Sequence, residues 1–323
     1  MLLLQPGARA QGPTFRSSTE LVNLNVTVVG QNLKPVDGLS QSQFEIYEDG
    51  KRQEVSFFAQ GEMPLDVVIL LDTSSSMTES MGLVQNAAVR FVGALRPSDR
   101  GTVMAISGGL RILQPLTADP AALTAAIRST RPAGQTPLYA SIYTALKELA
   151  KARVGSQPPR RQAIVVLSDG QDTSSGFSFD ELQTYVRQQA VPIYPIAPRP
   201  SRALRDTREA IYGETTREQD WELRTMATDT GGRAFFPTAL YELGDVYDEI
   251  ARELSHQYSL GYQSTNSRLD GGFRRIAVRV AAPGVTWRTR AGYLAQSPAV
   301  GVVGVRSATE AWRAQQAAEP KLQ

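Results

Sequence analysis

Apolar and polar residues alternate with a period of two over residues 20–58 and again after residue 256, and take helical spacing in between. Val22, Leu24, Val26 and Val28 alternate with Asn23, Asn25 and Thr27, the mark of a strand with one wet face. Pro35 to Gly38 breaks the run. Phe44 and Ile46 resume it, Asp49-Gly50 supplies a hairpin turn, and Val55 and Phe57 continue on the far side. At the other end Tyr258, Leu260 and Tyr262, then Ile276, Val278 and Val280, then Val285 and Trp287 keep the same period. The strands at either end are too few to stand alone. Paired, they make one small β-sandwich-like domain built from both termini.

The middle reads differently. Residues 65–71 (LDVVILL) and 163–167 (AIVVL) are nearly unbroken apolar runs, as strands buried on both faces of a parallel sheet are. Helical spacing appears at 81–95, 120–128, 138–153, 179–189, 219–230 and 241–254. Further strands are expected at 101–106, 191–196 and 234–236, with a short edge strand at 112–113. Strands alternating with helices predict an α/β fold, a doubly wound and mostly parallel sheet inserted into the sandwich. The expected boundaries are 14–60 for the first half of the β domain, 61–255 for the α/β domain and 256–296 for the second half. Residues 297–323 form a tail with a helical stretch at 308–318.

Composition narrows the chemistry. The 34 basic and 32 acidic residues leave a net charge of +2, which argues against nucleic acid as a partner. No Cys and one His remove thiol chemistry, Cys-based zinc sites and almost every histidine-based triad. No stretch has the length of a transmembrane helix. Residues 1–13, MLLLQPGARAQGP, read as a signal-peptide remnant or a disordered terminus: a clipped apolar run, then Ala8-Arg9-Ala10 as a small-x-small cleavage site. Export to the periplasm, the cell surface or the medium is the expectation.

Three loops carry the candidate chemistry. The strand at 65–71 stops at Asp72-Thr73-Ser74-Ser75-Ser76; a second loop holds Gly134-Gln135-Thr136-Pro137; the strand at 163–167 stops at Ser168-Asp169-Gly170. The first and third leave the carboxyl ends of parallel strands, where open α/β sheets place their ligands. A run of Asp, Thr and Ser alone is often a helix-capping loop. Three such loops converging on one sheet edge favour a site for a hard cation, because the donors are oxygens with almost no nitrogen or sulfur among them. Neutral hydroxyls with one or two carboxylates suit Mg²⁺, with Mn²⁺ or Ca²⁺ as alternatives.

Together the loops closely resemble the von Willebrand factor type A domain. Its metal-ion-dependent adhesion site uses an Asp-x-Ser-x-Ser loop, a Thr before a helix and an Asp after a later strand. Asp72, Ser74, Ser76, Thr136 and Asp169 fill those five positions. The segments FEIYEDGKR (44–52), YSLGYQSTN, FRRIAVRV and RTRAGYLA resemble a bacterial von Willebrand A-related family found in large paralogous sets, especially in acidobacteria, over about residues 14–295. The resemblance implies a Rossmann-like α/β domain and a non-enzymatic, metal-dependent adhesion-type module. It implies that the five side chains hold the metal, and that a protein partner offers an acidic side chain to a vacant coordination position.

Two other readings compete. An apolar strand ending in Asp also opens some metal-dependent phosphohydrolases, but these need a second carboxylate two residues on, and Ser74 stands there. A structural envelope protein with a metal that only stiffens the loops is the other. Arg199, Arg202, Arg205 and Arg208 follow the strand at 191–196 and are candidates for a rim that steers acidic partners, although the interspersed acids favour a salt-bridged, solvated helix. Asp172 and Thr173 read as cap or loop residues, His256 as a helix C-terminal cap, and Trp221 and Trp287 as packing residues.

Overall fold

The alternating segments from the two ends of the chain meet in space. The structure, a computed structural model, describes residues 21–61, 63–153, 159–169, 171–199 and 202–295, with the backbone alone described at 32 and 202–215. Residues 1–13, the tail at 297–323 with its helical stretch, and Trp312 lie outside the described residues. Strands β1 (Leu21–Val29), β2 (Phe44–Glu48), β3 (Lys51–Gln53) and β4 (Val55–Gln60) come first. Asp49 and Gly50, both at positive φ (48° and 80°), form the turn between β2 and β3, a backbone that Gly adopts without steric cost.

The central segment runs β5 (Leu65–Asp72), α1 (Met81–Gly93), β6 (Arg100–Ile106), β7 (Leu110–Thr117), α2 (Pro120–Ser129) and α3 (Leu138–Arg153). It continues with β8 (Arg161–Leu167), α4 (Phe179–Val186), β9 (Ile193–Ile196), α5 (Arg202–Thr230) and α6 (Leu243–His256). The closing strands are β10 (Tyr258–Gln263), β11 (Phe273–Val280), β12 (Thr286–Arg288) and β13 (Gly292–Leu294).

The central sheet has the order β7-β6-β5-β8-β9, with β6, β5, β8 and β9 parallel and β7 antiparallel at the edge. All eight residues of β5 are buried. Its alternate side chains serve opposite faces. Leu65, Val67, Ile69 and Leu71 pack with α1, α2 and α6, whereas Val68 and Leu70 pack with α3, α4 and α5. Each such side chain removed from water contributes about 2 kcal/mol before entropic costs. The chain leaves β5 for β6 on one side and later adds β8 on the other. The carboxyl end of β5 is therefore the switch point, where an open α/β sheet leaves a crevice.

Two four-stranded antiparallel sheets flank this unit, β12-β1-β10-β4 and β13-β11-β2-β3, each mixing strands from both ends of the chain. Val22, Leu24, Val26, Phe44, Ile46, Tyr258, Leu260, Tyr262, Ile276 and Val278 form their common core. The buried Glu253 of α6 joins the two units, accepting from Thr27 Oγ1 at 3.0 Å and Tyr194 OH at 2.9 Å and pairing with Arg288.

Several local expectations need correction. The edge strand expected at 112–113 is the eight-residue β7, because the backbone of β6 pairs with it from Ile106 back to Gly101. The strand expected at 234–236 is a single parallel bridge between Ile196 and Phe235. The helix expected at 219–230 begins at Arg202, its polar first half being carried by a helix too hydrophilic to show an apolar stripe. In β4, Gly261 pairs with Phe57 and Tyr262 with Val55, so a bulge absorbs Ser56 and reverses the parity. Phe58 therefore packs into the sandwich core, and Phe57 is 38% exposed.

Candidate metal centre

Asp72 ends β5 with its side chain fully buried. The next residues turn away from the sheet because Thr73 is anchored below: its N–H and Oγ1 both donate to the Ile106 carbonyl, at 2.9 and 2.8 Å. Asp72 Oδ1 then accepts the Ser74 N–H at 2.8 Å, an Asx-type turn that brings Ser74 back over the strand end. The Ser74 and Ser76 hydroxyls lie 2.9 Å apart.

The second loop is pinned to the first. Ala133 N–H donates to the Thr73 carbonyl at 2.6 Å, Ser75 N–H to the Gly134 carbonyl at 3.2 Å, and Gly108 N–H to the Gln135 carbonyl at 2.8 Å. Gly134 has φ +75°, and a Cβ there would stand 2.9 Å from the Gly108 nitrogen, so the approach requires glycine. This packing holds Thr136, 4% exposed, with Oγ1 3.5 Å from Asp72 Oδ1.

The third loop closes the cluster. Ser168 Oγ donates to Asp72 Oδ2 at 2.7 Å, and Ser76 Oγ donates to Asp169 Oδ2 at 3.2 Å. All five expected site residues thus come together: Asp72, Ser74 and Thr136 form a buried floor, with exposed Ser76 and half-buried Asp169 at the open side. Burial pushes the Asp72 carboxyl above its usual range, and the nearby Asp169 charge adds to this; hydrogen bonds from Ser74 and Ser168 work against it. Among the described residues, no Lys, Arg or His pairs with Asp72 or with the Asp169 carboxylate. Nor do the described residues hold any cluster of three or more acidic or His side chains that would make a carboxylate-rich metal site. The donor set is two carboxylates and three hydroxyls, all oxygen, which fits a hard divalent cation of modest charge demand.

Supporting residues surround this set. Ser168 is absent from the expected ligands, although its place directly before Asp169 at a strand end was a readable signal. Thr173 and Asp172 act behind Thr136. The Thr136 N–H donates to Thr173 Oγ1 and the Thr173 N–H to the Thr136 carbonyl, both at 3.0 Å, while Asp172 accepts the Tyr139 N–H at 3.1 Å at the start of α3. Arg199 corrects the expected rim. It is 6% exposed, donates to the Asp169 carbonyl at 2.5 Å, pairs with Asp220 and faces the Phe236 ring, so it braces the third loop from within. The side chains of Arg202, Arg205 and Arg208 lie outside the described residues. His256 closes α6, its Nδ1 2.7 Å from the Arg252 carbonyl oxygen. Trp221 is 58% exposed with its ring edge-on to Phe179, so it packs on one side only.

The family model described as von Willebrand factor type A domain matches residues 67–171, a stretch that contains all five clustered side chains. A UPF0353 protein of Mycolicibacterium vanbaalenii is 26% identical over 234 residues, covering 67% of this chain and 66% of that protein. A UPF0353 protein of Mycobacterium avium is 27% identical over 235 residues, covering 66% of each. The chain thus spans about two thirds of the length of the curated relatives it matches. Among solved structures, a von Willebrand factor type A protein from Catenulispora acidiphila is 14% identical, covering 87% of this chain and 75% of its own, with TM-score 0.49. Proximal thread matrix protein 1 from the mussel byssus, in a structure with a zinc-occupied MIDAS motif, is 15% identical, covering 64% and 49%, with TM-score 0.47. Within the α/β unit, residues 67–171 are thus similar to the von Willebrand factor type A domain.

Proposed function

We propose that the protein is a non-enzymatic, metal-dependent protein-binding module. Asp72, Ser74, Ser76, Thr136 and Asp169 hold a divalent cation, Mg²⁺ in preference to Mn²⁺ or Ca²⁺, directly or through water. The observation that carries this reading is the fully buried Asp72 carboxylate, which among the described residues receives only hydroxyl and amide donors while a second carboxylate stands across the cluster. A buried carboxylate is costly without a positive partner, and a cation from solution supplies one. Two carboxylates balance the charge of that cation, but five side-chain donors fall one short of octahedral coordination. The open side at Ser76 and Asp169 is where an acidic side chain of a partner protein completes the set. Such a module acts at the periplasmic face, the cell surface or outside the cell.

Catalysis is disfavoured by the same inventory. Ser74 occupies the place of a general acid, and the cluster contains no His, Cys or Lys to move a proton. Among the described residues no helix is long and apolar enough to cross a membrane.

The test combines calorimetry with capture. Titration of the metal-free protein with Mg²⁺ and Mn²⁺ should give saturable binding that Asp72→Ala abolishes. Envelope proteins retained on the wild type with Mg²⁺ should be lost both with chelator and on Asp72→Ala. Capture that survives both changes would sink the proposal; metal binding with no metal-dependent capture would favour a cation that only stiffens the loops.

A further inference from the structure

The opposite pole of the parallel sheet carries a second concentration of charge, of the other sign. A cleft of about 200 Å³ opens where the start of β5 and β8 and the end of α3 face β1 and β10 of the sandwich. Arg153, Arg160 and Arg161 line it, and Asp66 is the one carboxylate among the lining residues. Three positive charges therefore face one negative charge. That one is already taken: Asp66 accepts from Arg160 Nε at 2.6 Å, and from Arg100 Nε and Nη2 at 2.9 and 2.6 Å.

Among the described residues the other two arginines have neutral hydrogen-bond partners. Arg161, 5% exposed, donates through Nε to the Met63 carbonyl at 3.2 Å and through Nη1 to the Leu254 carbonyl at 2.6 Å, and its Nη2 is buried without an acceptor. Burial, and then the nearby Arg96, push its guanidinium down to about 10, which leaves it charged at neutral pH. Arg153 is exposed at the mouth, its Nε and Nη2 resting on Gln162 Oε1 at 3.0 and 2.6 Å. Asn23 and Asn25, on the wet face of β1, add side-chain amides to the opposite wall. Concave surfaces lined by one sign of charge and backed by low-dielectric protein concentrate the opposite ion.

We propose that this cleft binds a small free oxyanion, a phosphate or a short dicarboxylate, between Arg153 and Arg160 on one wall and the Asn23 and Asn25 amides on the other. Guanidinium forks match planar and tetrahedral oxyanions, and charge-assisted hydrogen bonds of this kind are about twice as strong as neutral ones. The volume sets the size class. Pockets for drug-sized ligands run from about 300 to 1,000 Å³, so a cleft of about 200 Å³ suits a phosphate or a three- or four-carbon diacid. The site lies at the far end of β5 from the metal cluster, so its occupancy does not depend on the cation.

The experiment is isothermal titration of the full chain, with chelator present, using sodium phosphate in one arm and sodium malonate in the other against chloride at equal ionic strength. Saturable binding of at least one anion is expected, and Arg153→Gln, which alters an exposed mouth residue that rests on Gln162, should weaken it about tenfold. A response to phosphate alone assigns a tetrahedral ligand, and a response to malonate alone a dicarboxylate. Asp72→Ala should bind the anion as the wild type does. No saturable heat with either anion, or equal affinity in wild type and Arg153→Gln, overturns the proposal. Arg161→Gln removes two structural hydrogen bonds, so Arg153→Gln is the deciding variant.

Discussion

Asp66 and Asp72 stand six residues apart on one strand, both almost completely buried, and the protein treats them in opposite ways. Asp66, at the amino-terminal end of β5, is clasped by Arg100 and Arg160. Asp72, at the carboxyl end, meets only hydroxyls and one backbone N–H among the described residues, and its carboxyl is held above the ordinary range by burial. The same side chain is internally neutralised at one pole and left wanting a positive charge at the other. Asp66 carries its counter-charge within the fold; on the proposed function, Asp72 takes its own from a bound cation.

The largest effect should come from breaking the closed pole. Asp66→Asn strips two arginines of their counter-charge and should cost about 3 kcal/mol in urea denaturation, the solvent access of Arg100 moderating the loss. Asp72→Asn is the contrasting change. In metal-free protein it should cost under about 1 kcal/mol, because no charge loses a partner. If the two substitutions destabilise equally without metal, the contrast between the poles is false.

Adding the cation should then stabilise the wild type by about 2.7 kcal/mol at a hundredfold excess over Kd, read as a rise in Tm, with no rise for Asp72→Asn. A smaller loss is expected from Ser168→Ala, which deletes the 2.7 Å hydrogen bond to Asp72 Oδ2; cation affinity measured by calorimetry should fall about tenfold or more. The smallest effect on cation binding belongs to Thr173→Val. It removes the acceptor of the Thr136 N–H, should cost about 1 kcal/mol of stability, and should weaken cation binding less than Ser168→Ala does. An inverted order between these two would mean that the seat of Thr136 matters more than the orientation of Asp72.

Long apolar runs and period-two alternation located nearly every element, because β5 and β8 are buried on both faces while β1 and β11 are buried on one. The errors cluster where pairing overrides local pattern. The bulge at Ser56 inverts β4 relative to its alternation, and β7 is a long edge strand whose mixed residues give no periodic signal. At the cluster, the oxygen-bearing residues that come together could be read from three short loops, whereas the braces behind them could not. Arg199 looked like a surface cation because its neighbours in sequence are polar; only the return of Asp220 on α5 and the Asp169 carbonyl make it internal.

What the sequence determined by itself, then, is the class of fold, the five oxygen-bearing side chains and the scarcity of any other donor, since these follow from residue type and spacing. Tertiary structure decided which buried carboxylate is neutralised by the protein. Asp66 and Asp72 read alike in a one-dimensional pattern. Arg100 and Arg160 reach Asp66 only because β6 and the entry to β8 flank β5 in parallel register, setting the starts of three strands side by side. At the other end of those strands the neighbours are hydroxyls, and a charge of short range is balanced only by what stands beside it.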